Sequence, residues 1–106
     1  MGLSVTVHGN STIHRVTGDI DVSTAPALRT RLQNALTAGG GLLVDLSGVT
    51  FMDARGLGAL VAVNNRAREL GGTVQLIGVP VAVRRLLKLT GLNRLLLGAE
   101  PVPLCA

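Results

Sequence analysis

Two acidic side chains are the first residues whose type and spacing could support chemistry. Asp19 and Asp21 lie two positions apart in the segment "VTGDIDVSTAPAL", at the end of a predicted strand. Side chains at this spacing share one face of a strand, and a pair of carboxylates can act as the acid and the base of a reaction. A strand end that leads into a helix is also where Asp forms turns and caps. We therefore favour a turn or cap role over catalysis for this pair.

The histidines and the cysteine do not form a recognisable set of ligands or nucleophiles. His8 and His14 flank the predicted hairpin turn "GNST" and could face each other across it, whereas Cys105 lies next to the last residue. No pair among them has the helical or Cys-x-x-Cys spacing of a zinc site. The nucleophile pattern Gly-x-Ser-x-Gly and the phosphate loop that ends in Gly-Lys-Ser/Thr are also absent. We expect no enzyme, no metal site and no cofactor.

The remaining candidate is a corner between a strand and a helix, "FMDARGLG". Asp53 precedes the helix, where its carboxylate can cap free N–H groups at the positive end of the helix dipole. Gly56 and Gly58 in the first turn cost about 1 kcal/mol each relative to alanine. Such a cost usually has a packing or docking reason, such as the close approach of another backbone. The pattern indicates a surface that a partner approaches.

The elements that position these residues alternate between strands and helices. The segments "LSVTVH" and "TIHRVTG" predict a hairpin with its turn at Gly9-Asn10, and "LLVDL" and "TVQLIGV" predict two more strands. A first helix follows Ser23 or Thr24, either of which can cap it, with Pro26 in its first turn. A second helix is predicted over about 55–70, after the linking segment "SGVTFMD", and a third between Pro80 and Gly91.

The order of elements defines the fold class. It is β-β-α-β-α-β-α, with "RLLLGA" as a further edge strand and the glycine runs "AGGG" and "LGG" as helix C-caps. Strands that alternate with helices imply crossover connections. We predict a single α/β domain with a mixed, mostly parallel sheet of four to five strands and helices packed against it.

Composition and charge exclude several classes of function. The chain has 106 residues, one Phe, no Trp and no Tyr, so its core must consist of Leu, Val, Ile and Ala. The net charge is +4, but the arginines are scattered and only Arg84, Arg85 and Lys88 cluster, which argues against direct nucleic-acid binding. No apolar run approaches the ~18–20 residues of a membrane span. A single cysteine fits a reducing compartment, so we expect a cytoplasmic protein with no membrane partner.

Three separated segments carry a resemblance to a known family. They are "VTGDIDVSTAPAL", "VDLSGVTFMDARGLGALVAV" and "GGTVQLIGVPVAVRRLLKLTGL". In this order they resemble the STAS domain of bacterial anti-sigma factor antagonists. The resemblance covers about residues 3–97, so the whole chain 1–106 is expected to be one STAS domain with a loose tail at 98–106.

The resemblance implies a docking switch. In that family the unphosphorylated protein binds an anti-sigma factor with a GHKL-type ATPase fold, and the sigma factor is released. The partner then phosphorylates the first serine of the motif Asp-Ser-Ser/Thr-Gly-Leu-Gly, and a phosphatase reverses the reaction. Carried onto this chain, the partner-docking residues are those of the acidic motif and of the corner: Asp19, Asp21, Thr24, Asp53, Ala54, Arg55, Gly56, Leu57 and Gly58.

This chain departs from the family motif at the acceptor. Ala54 stands at the phosphoserine position and Arg55 replaces the next hydroxyl residue. Alanine has no oxygen that could accept a phosphoryl group, so the resemblance implies an antagonist without the usual serine phosphorylation switch. A weak homodimer is also compatible with the resemblance.

Two other readings remain open. The chain could be a STAS subunit with a permanent partner, as in stressosome-like assemblies, lipid-transport ABC complexes or anion transporters. It could also bind a nucleotide, although no phosphate loop supports this. Co-purification discriminates: a GHKL-type partner supports the antagonist, and a transporter ATPase or a large homo-oligomer supports the structural subunit.

Overall fold

The computed structural model describes residues 1–8 and 11–91. Its elements are β1 (Gly2–His8), β2 (Ser11–Ile20), α1 (Ala25–Asn34), β3 (Gly41–Met52), α2 (Ala54–Glu69), β4 (Thr73–Ile77) and α3 (Val81–Leu89). This order confirms the predicted β-β-α-β-α-β-α sequence. The predicted turn at Gly9-Asn10, the edge strand "RLLLGA" and the tail with Cys105 lie outside the described residues.

The four strands form one mixed sheet in the order β1-β2-β3-β4. β1 pairs with β2 in antiparallel orientation, and β2 with β3 and β3 with β4 are parallel pairs. Crossover connections join the successive parallel neighbours, and α1 and α2 contact each other, so they lie on the same face of the sheet. As a result, the parallel strands end at one side of the domain, and the helices begin at the same side. We call this side the carboxyl edge.

The core is aliphatic, as the composition predicts. The fully buried side chains include Ile20 of β2, Leu28 of α1, Leu46 of β3, Leu60 of α2 and Leu87 of α3. One cluster therefore joins the sheet to all three helices. The single aromatic residue takes no part in it, because Phe51 is 52% exposed. Within residues 1–8 and 11–91, no helix has the length and hydropathy needed to cross a membrane.

The third strand is longer than the sequence indicates. The segment "SGVTFMD" was expected to be a linker, but β3 continues through it to Met52. It does so because β2 shifts register twice, so that Thr17 pairs with Gly48 and Asp19 with Phe51. Val49 and Met52 are buried as a consequence. The extended pairing brings the end of β3, and hence the corner, directly beside the end of β2.

The glycine run "AGGG" does not cap α1, which corrects that prediction. The helix ends at Asn34, and Gly39 adopts a positive φ of 71° in the following loop. Its N–H donates to the carbonyl oxygen of Leu70 over 2.8 Å, and the N–H of Thr73 donates to the carbonyl oxygen of Gly40 over 3.0 Å. The loop before β3 thus packs on the loop before β4. The run "LGG" does end α2 as predicted, because Gly71, with φ 75°, directly follows the C-cap residue of that helix.

Candidate functional site

The corner, residues 53–58, begins with a capped helix. Asp53 is the N-cap of α2, and its Oδ1 accepts hydrogen bonds from the N–H groups of Arg55 at 2.9 Å and Gly56 at 3.1 Å. Its own N–H donates to the carbonyl oxygen of Ile20 over 3.2 Å. The predicted cap is confirmed. Asp53 therefore fixes the start of α2 against the end of β2, and Ala54 follows as an exposed first helical residue.

The two glycines of the corner have different roles. A Cβ at Gly56 would come within 2.7 Å of the carbonyl oxygen and of the Cγ2 of Ile20, whereas a Cβ at Gly58 would meet nothing within 4 Å. The approach at Gly56 therefore comes from the chain's own second strand and not from a partner. Leu57 is 3% exposed and anchors the helix in the core. Of the three residues, only Gly58 reaches the surface.

The acidic motif forms a turn that starts α1. Oδ1 of Asp21 accepts from the N–H and the Oγ of Ser23, at 3.0 and 2.7 Å, and from the N–H of Thr24 at 3.3 Å. The hydrogen bond from the Ser23 side chain is the main cause that lowers the pKa of Asp21 below its ordinary value. Asp21 thus remains a carboxylate held by the turn, as the favoured turn role implies.

Thr24 occupies the N-cap of α1 without capping it. Its side chain makes no cap hydrogen bond. Instead its Oγ1 accepts from the N–H of Asp21 over 2.9 Å and donates to the carbonyl oxygen of Asp19 over 3.0 Å. The prediction that Ser23 or Thr24 caps this helix is therefore corrected, because both hydroxyls are engaged in the turn that precedes it.

Asp19 and Asp21 do not form a carboxylate pair. β2 ends at Ile20, so Asp19 lies on the strand and Asp21 lies in the turn. Oδ1 of Asp19 accepts from the Oγ1 of Thr50 over 2.7 Å, which ties β2 to β3. Each carboxylate thus has its own structural partner. The alternation of a strand does not relate the two side chains, because β2 ends between them.

A groove separates α1 from the beginning of α2 and reaches the corner. Its volume is about 580 Å³, and we call it the α1–α2 groove. It contains three residues of the predicted docking set, Ala54, Arg55 and Gly58. The sequence analysis did not identify its other lining residues, which are Val22, Ala25, Pro26, Arg29, Thr30 and Ala59. Pro26, Arg29 and Thr30 are spaced as one face of a helix, a signal that could have indicated them.

Several large apolar side chains are exposed at the carboxyl edge, among them Val81 at the start of α3, which is 67% exposed. Val22, beside the groove, is 61% exposed, and Phe51, at the end of β3, is 52% exposed. Aromatic side chains, Phe included, are enriched at protein interfaces relative to the rest of the surface. The sequence analysis did not select Val22 or Phe51, since the alternation of β3 was not predicted to continue as far as Phe51.

The two histidines are not cross-strand partners. In the register of the hairpin, His14 pairs with Val5 and His8 pairs with Ser11. His14 is 7% exposed, and burial lowers its pKa below the ordinary value of 6.5. Among the residues that the structure describes, no group of three His, Cys, Asp or Glu side chains could hold a metal ion.

Comparisons with known proteins match most of the chain. The family model described as "Mlab, STAS domain" matches residues 3–98. An anti-sigma-B factor antagonist of Bacillus subtilis (strain 168) is 35% identical over 78 residues, which cover 74% of this chain and 72% of that protein. The protein of the same name from Listeria monocytogenes is 32% identical over 97 residues, with coverages of 88% and 85%.

A solved structure is similar at the level of the fold and of the sequence. It is the crystal structure of an anti-sigma factor antagonist from Mycobacterium paratuberculosis, which is 32% identical to this chain. The two superpose with a TM-score of 0.74 over 90% of this chain and 81% of the other. The mixed four-stranded sheet with its helices is therefore an arrangement that experiment has found in a related sequence.

Proposed function

This chain belongs to the STAS domain family, and on that premise we propose that it is an anti-sigma factor antagonist that acts by docking through its corner and the adjoining α1–α2 groove. The proposal rests on relatives above 30% identity that carry this name over most of their length. Its partner is an anti-sigma factor, which we propose to be of the GHKL ATPase type. Sigma factors act on RNA polymerase, so the proposed location is the cytoplasm.

One observation supports the proposal: the corner has a capped, closely packed and partly exposed helix start, although Ala54 offers no acceptor. Asp53 caps α2, and Gly56 allows that helix to approach Ile20. These contacts hold Ala54 at the surface, in the wall of the groove. The start of α2 is thus held firmly against the end of β2, and the exposed side chains of Val22 and Phe51 lie at the same edge. A rigid surface with exposed apolar side chains is suited to the docking of another protein.

The proposal includes no phosphorylation switch at this position. A phosphoserine would add about −1.5 to −2 charges in the groove, which opposes docking by repulsion and desolvation. The side chain of Ala54 is a methyl group, which cannot accept a phosphoryl group. The docking surface is therefore always in its unphosphorylated form, and we propose that the chain itself performs no covalent chemistry. Its level in the cell, rather than its modification, then controls how much sigma factor is free.

A direct test uses the purified anti-sigma factors of the source organism. Each is titrated by calorimetry against the wild-type chain, and the one that binds is then tested for release of its sigma factor. We expect one partner to bind and Ala54→Glu to weaken this binding at least about tenfold, because the carboxylate partly imitates the missing phosphate. Ala38→Glu is the matched control, since Ala38 is exposed in the loop between α1 and β3. Equal binding by all three proteins, or by none, contradicts the proposal.

The structural-subunit reading is not favoured. The relatives that match at 32% and 35% identity over most of their length carry the antagonist name. Co-purification with a transporter ATPase would nevertheless reverse this preference. The weak homodimer stays a prediction, which light scattering across a concentration series tests.

A further inference from the structure

Two arginines line the α1–α2 groove without a counterion. Arg29 projects from α1 and Arg55 from the first turn of α2, and both belong to the groove lining. Among the described residues, the ion pair formed is Arg66 with Glu69, and the guanidinium groups of Arg29 and Arg55 form neither a hydrogen bond nor an ion pair. A guanidinium is charged at every accessible pH. The groove therefore contains two cations whose pairing capacity is unused.

The carboxylates of the corner and of the acidic motif do not supply this pairing. Asp53 accepts from the N–H groups at the start of α2, and Asp21 accepts from the turn before α1. Both are thus engaged with backbone donors at the two helix starts. Within residues 1–8 and 11–91, no carboxylate pairs with the two guanidinium groups, so the groove can accept a negative charge from a partner.

The rest of the groove lining is small and mostly apolar. Val22, Pro26, Ala54 and Ala59 contribute short apolar side chains, and Gly58 contributes none. The groove is open to solvent and does not enclose its contents. Small-molecule sites usually bury 70–90% or more of their ligand, roughly speaking. An open groove of this kind suits an extended or helical protein segment that lays one side chain into it.

We propose that the α1–α2 groove receives an acidic docking segment, in which an aliphatic side chain enters the groove and flanking Asp or Glu residues pair with Arg29 and Arg55. This inference rests on the proposed function and specifies the partner surface. Arginine offers two parallel N–H donors to a carboxylate, so both the charge and the fork geometry contribute. Complementary charges also select the partner and increase the association rate. The Arg55 that replaces the family hydroxyl thus acts as a specificity residue.

The test uses defined peptides in place of the unidentified partner. The probe is the capped peptide Ac-Asp-Val-Leu-Glu-NH2, titrated into the full-length labelled chain while amide shifts are followed by NMR. Its controls are the neutral peptide Ac-Asn-Val-Leu-Gln-NH2 and the basic peptide Ac-Lys-Val-Leu-Lys-NH2. We expect the acidic peptide to shift the amides of Thr30, Ala54 and Gly58 with a Kd of about 1 mM, at least about tenfold tighter than either control.

Charge-reversal variants locate the effect. Arg29→Glu/Arg55→Glu should abolish the shifts, and Arg29→Lys/Arg55→Lys should keep only part of the affinity because lysine lacks the fork. Arg31→Glu/Arg68→Glu is the matched control, with the same change in net charge in the last turns of α1 and α2. It should bind the acidic peptide like the wild type. Circular dichroism confirms that each variant is folded.

The outcomes separate this inference from the proposed function. If the three peptides shift the groove amides equally, or not at all, the proposal of an acidic docking segment is wrong. It is also wrong if an anti-sigma factor binds and is unaffected by Arg29→Glu/Arg55→Glu but weakened by Ala54→Glu, a result that leaves the antagonist function intact. If the acidic peptide binds as expected and no anti-sigma factor binds, the groove chemistry stands and the antagonist function fails.

Discussion

Gly56 on α2 and Ile20 at the end of β2 are in such close contact that no side chain fits between them: a Cβ on Gly56 would lie 2.7 Å from both the carbonyl oxygen and the Cγ2 of Ile20. Two residues further along the helix, Gly58 faces open space. The first glycine therefore places the helix, and the second leaves room in the groove. This difference allows the structural and docking contributions of the corner to be measured separately.

The two glycines should respond in opposite ways to the same methyl group. The methyl group of Gly56→Ala would clash with both Ile20 and Met52. We therefore expect the free energy of unfolding of this variant to fall by about 1–3 kcal/mol. Gly58→Ala removes the helix penalty of glycine and introduces no clash, so it should raise the free energy of unfolding by up to about 1 kcal/mol. Urea denaturation measures both values. A loss of stability in Gly58→Ala, or none in Gly56→Ala, would show that the corner packs differently.

Replacing Asp53, the N-cap of α2, by alanine should lower the stability of the fold, whereas replacing it by the isosteric asparagine should largely preserve that stability. Asp53→Ala leaves the N–H groups of Arg55 and Gly56 without their acceptor. The expected loss is about 1 kcal/mol, within the range of measured N-cap replacements. Asp53→Asn retains an oxygen at the same place and should lose only a small part of this. Equal losses in the two variants on thermal unfolding would argue against capping as the cause.

A buried amide limits the stability of α2. Asn64 is 3% exposed, and its Nδ2 has no hydrogen-bond partner among the described residues. A buried donor left unpaired costs about 1–3 kcal/mol. Asn64→Leu, which is close in volume, should therefore raise the free energy of unfolding by about 1 kcal/mol, whereas Asn65→Leu at the exposed neighbouring position should leave it nearly unchanged. The idea fails if Asn64→Leu destabilises the fold.

The buried His14 should make stability depend on pH. Burial lowers its pKa in the folded state below 6.5, so the unfolded chain binds a proton that the folded chain excludes. Stability is therefore complete above about pH 6.5 and decreases as the pH falls from there towards the lowered pKa of the folded state. Urea midpoints between pH 7.5 and 5 measure the effect. His14→Leu should flatten the curve in this window, and an unchanged slope would assign it to another group.

The turn at Asp21 predicts a second, separate loss of stability in acid. The pKa of this carboxyl is lowered below 3.8 by its hydrogen bonds, chiefly that from the Ser23 side chain. Its contribution is present above pH 3.8 and disappears as the pH falls through the lowered value. The His14 effect begins near pH 6.5 and the Asp21 effect only near pH 3.8, so His14→Leu should leave the loss of stability below pH 3.8 in place, as urea midpoints in that range measure.

Restoring the family serine should restore the acceptor. After incubation with the cognate anti-sigma factor kinase and ATP, intact-mass measurement should show one added phosphate on Ala54→Ser and none on the wild type. Thr30 is the single hydroxyl residue in the described lining of the groove, so Ala54→Ser/Thr30→Val controls for transfer to that site. A phosphate on the wild-type chain that abolishes docking would contradict a permanently available surface.

Patterns confined to one element could be interpreted from the sequence. Alternation predicted the strands, and Asp53 before an apolar stripe predicted the cap of α2, because a cap depends on residues within three positions of one another. The length of β3 could not be predicted in this way. Its last residues have a mixed pattern, and they form a strand because β2 lies alongside and shifts its register twice.

The sequence by itself determined the order of the elements and the aliphatic core, since both follow from residue identity and local spacing, and the loss of the acceptor at Ala54 remains a prediction from the resemblance. Only the tertiary structure decided which residues meet: Gly56 with Ile20, Arg29 with Arg55 across one groove, and Asp19 with Thr50. These partners are far apart in the chain, and the crossover connections that bring them together leave no periodic signal in the sequence. The physical reason is that helix starts and strand ends converge at one edge of a parallel sheet, whatever the distance between them along the chain.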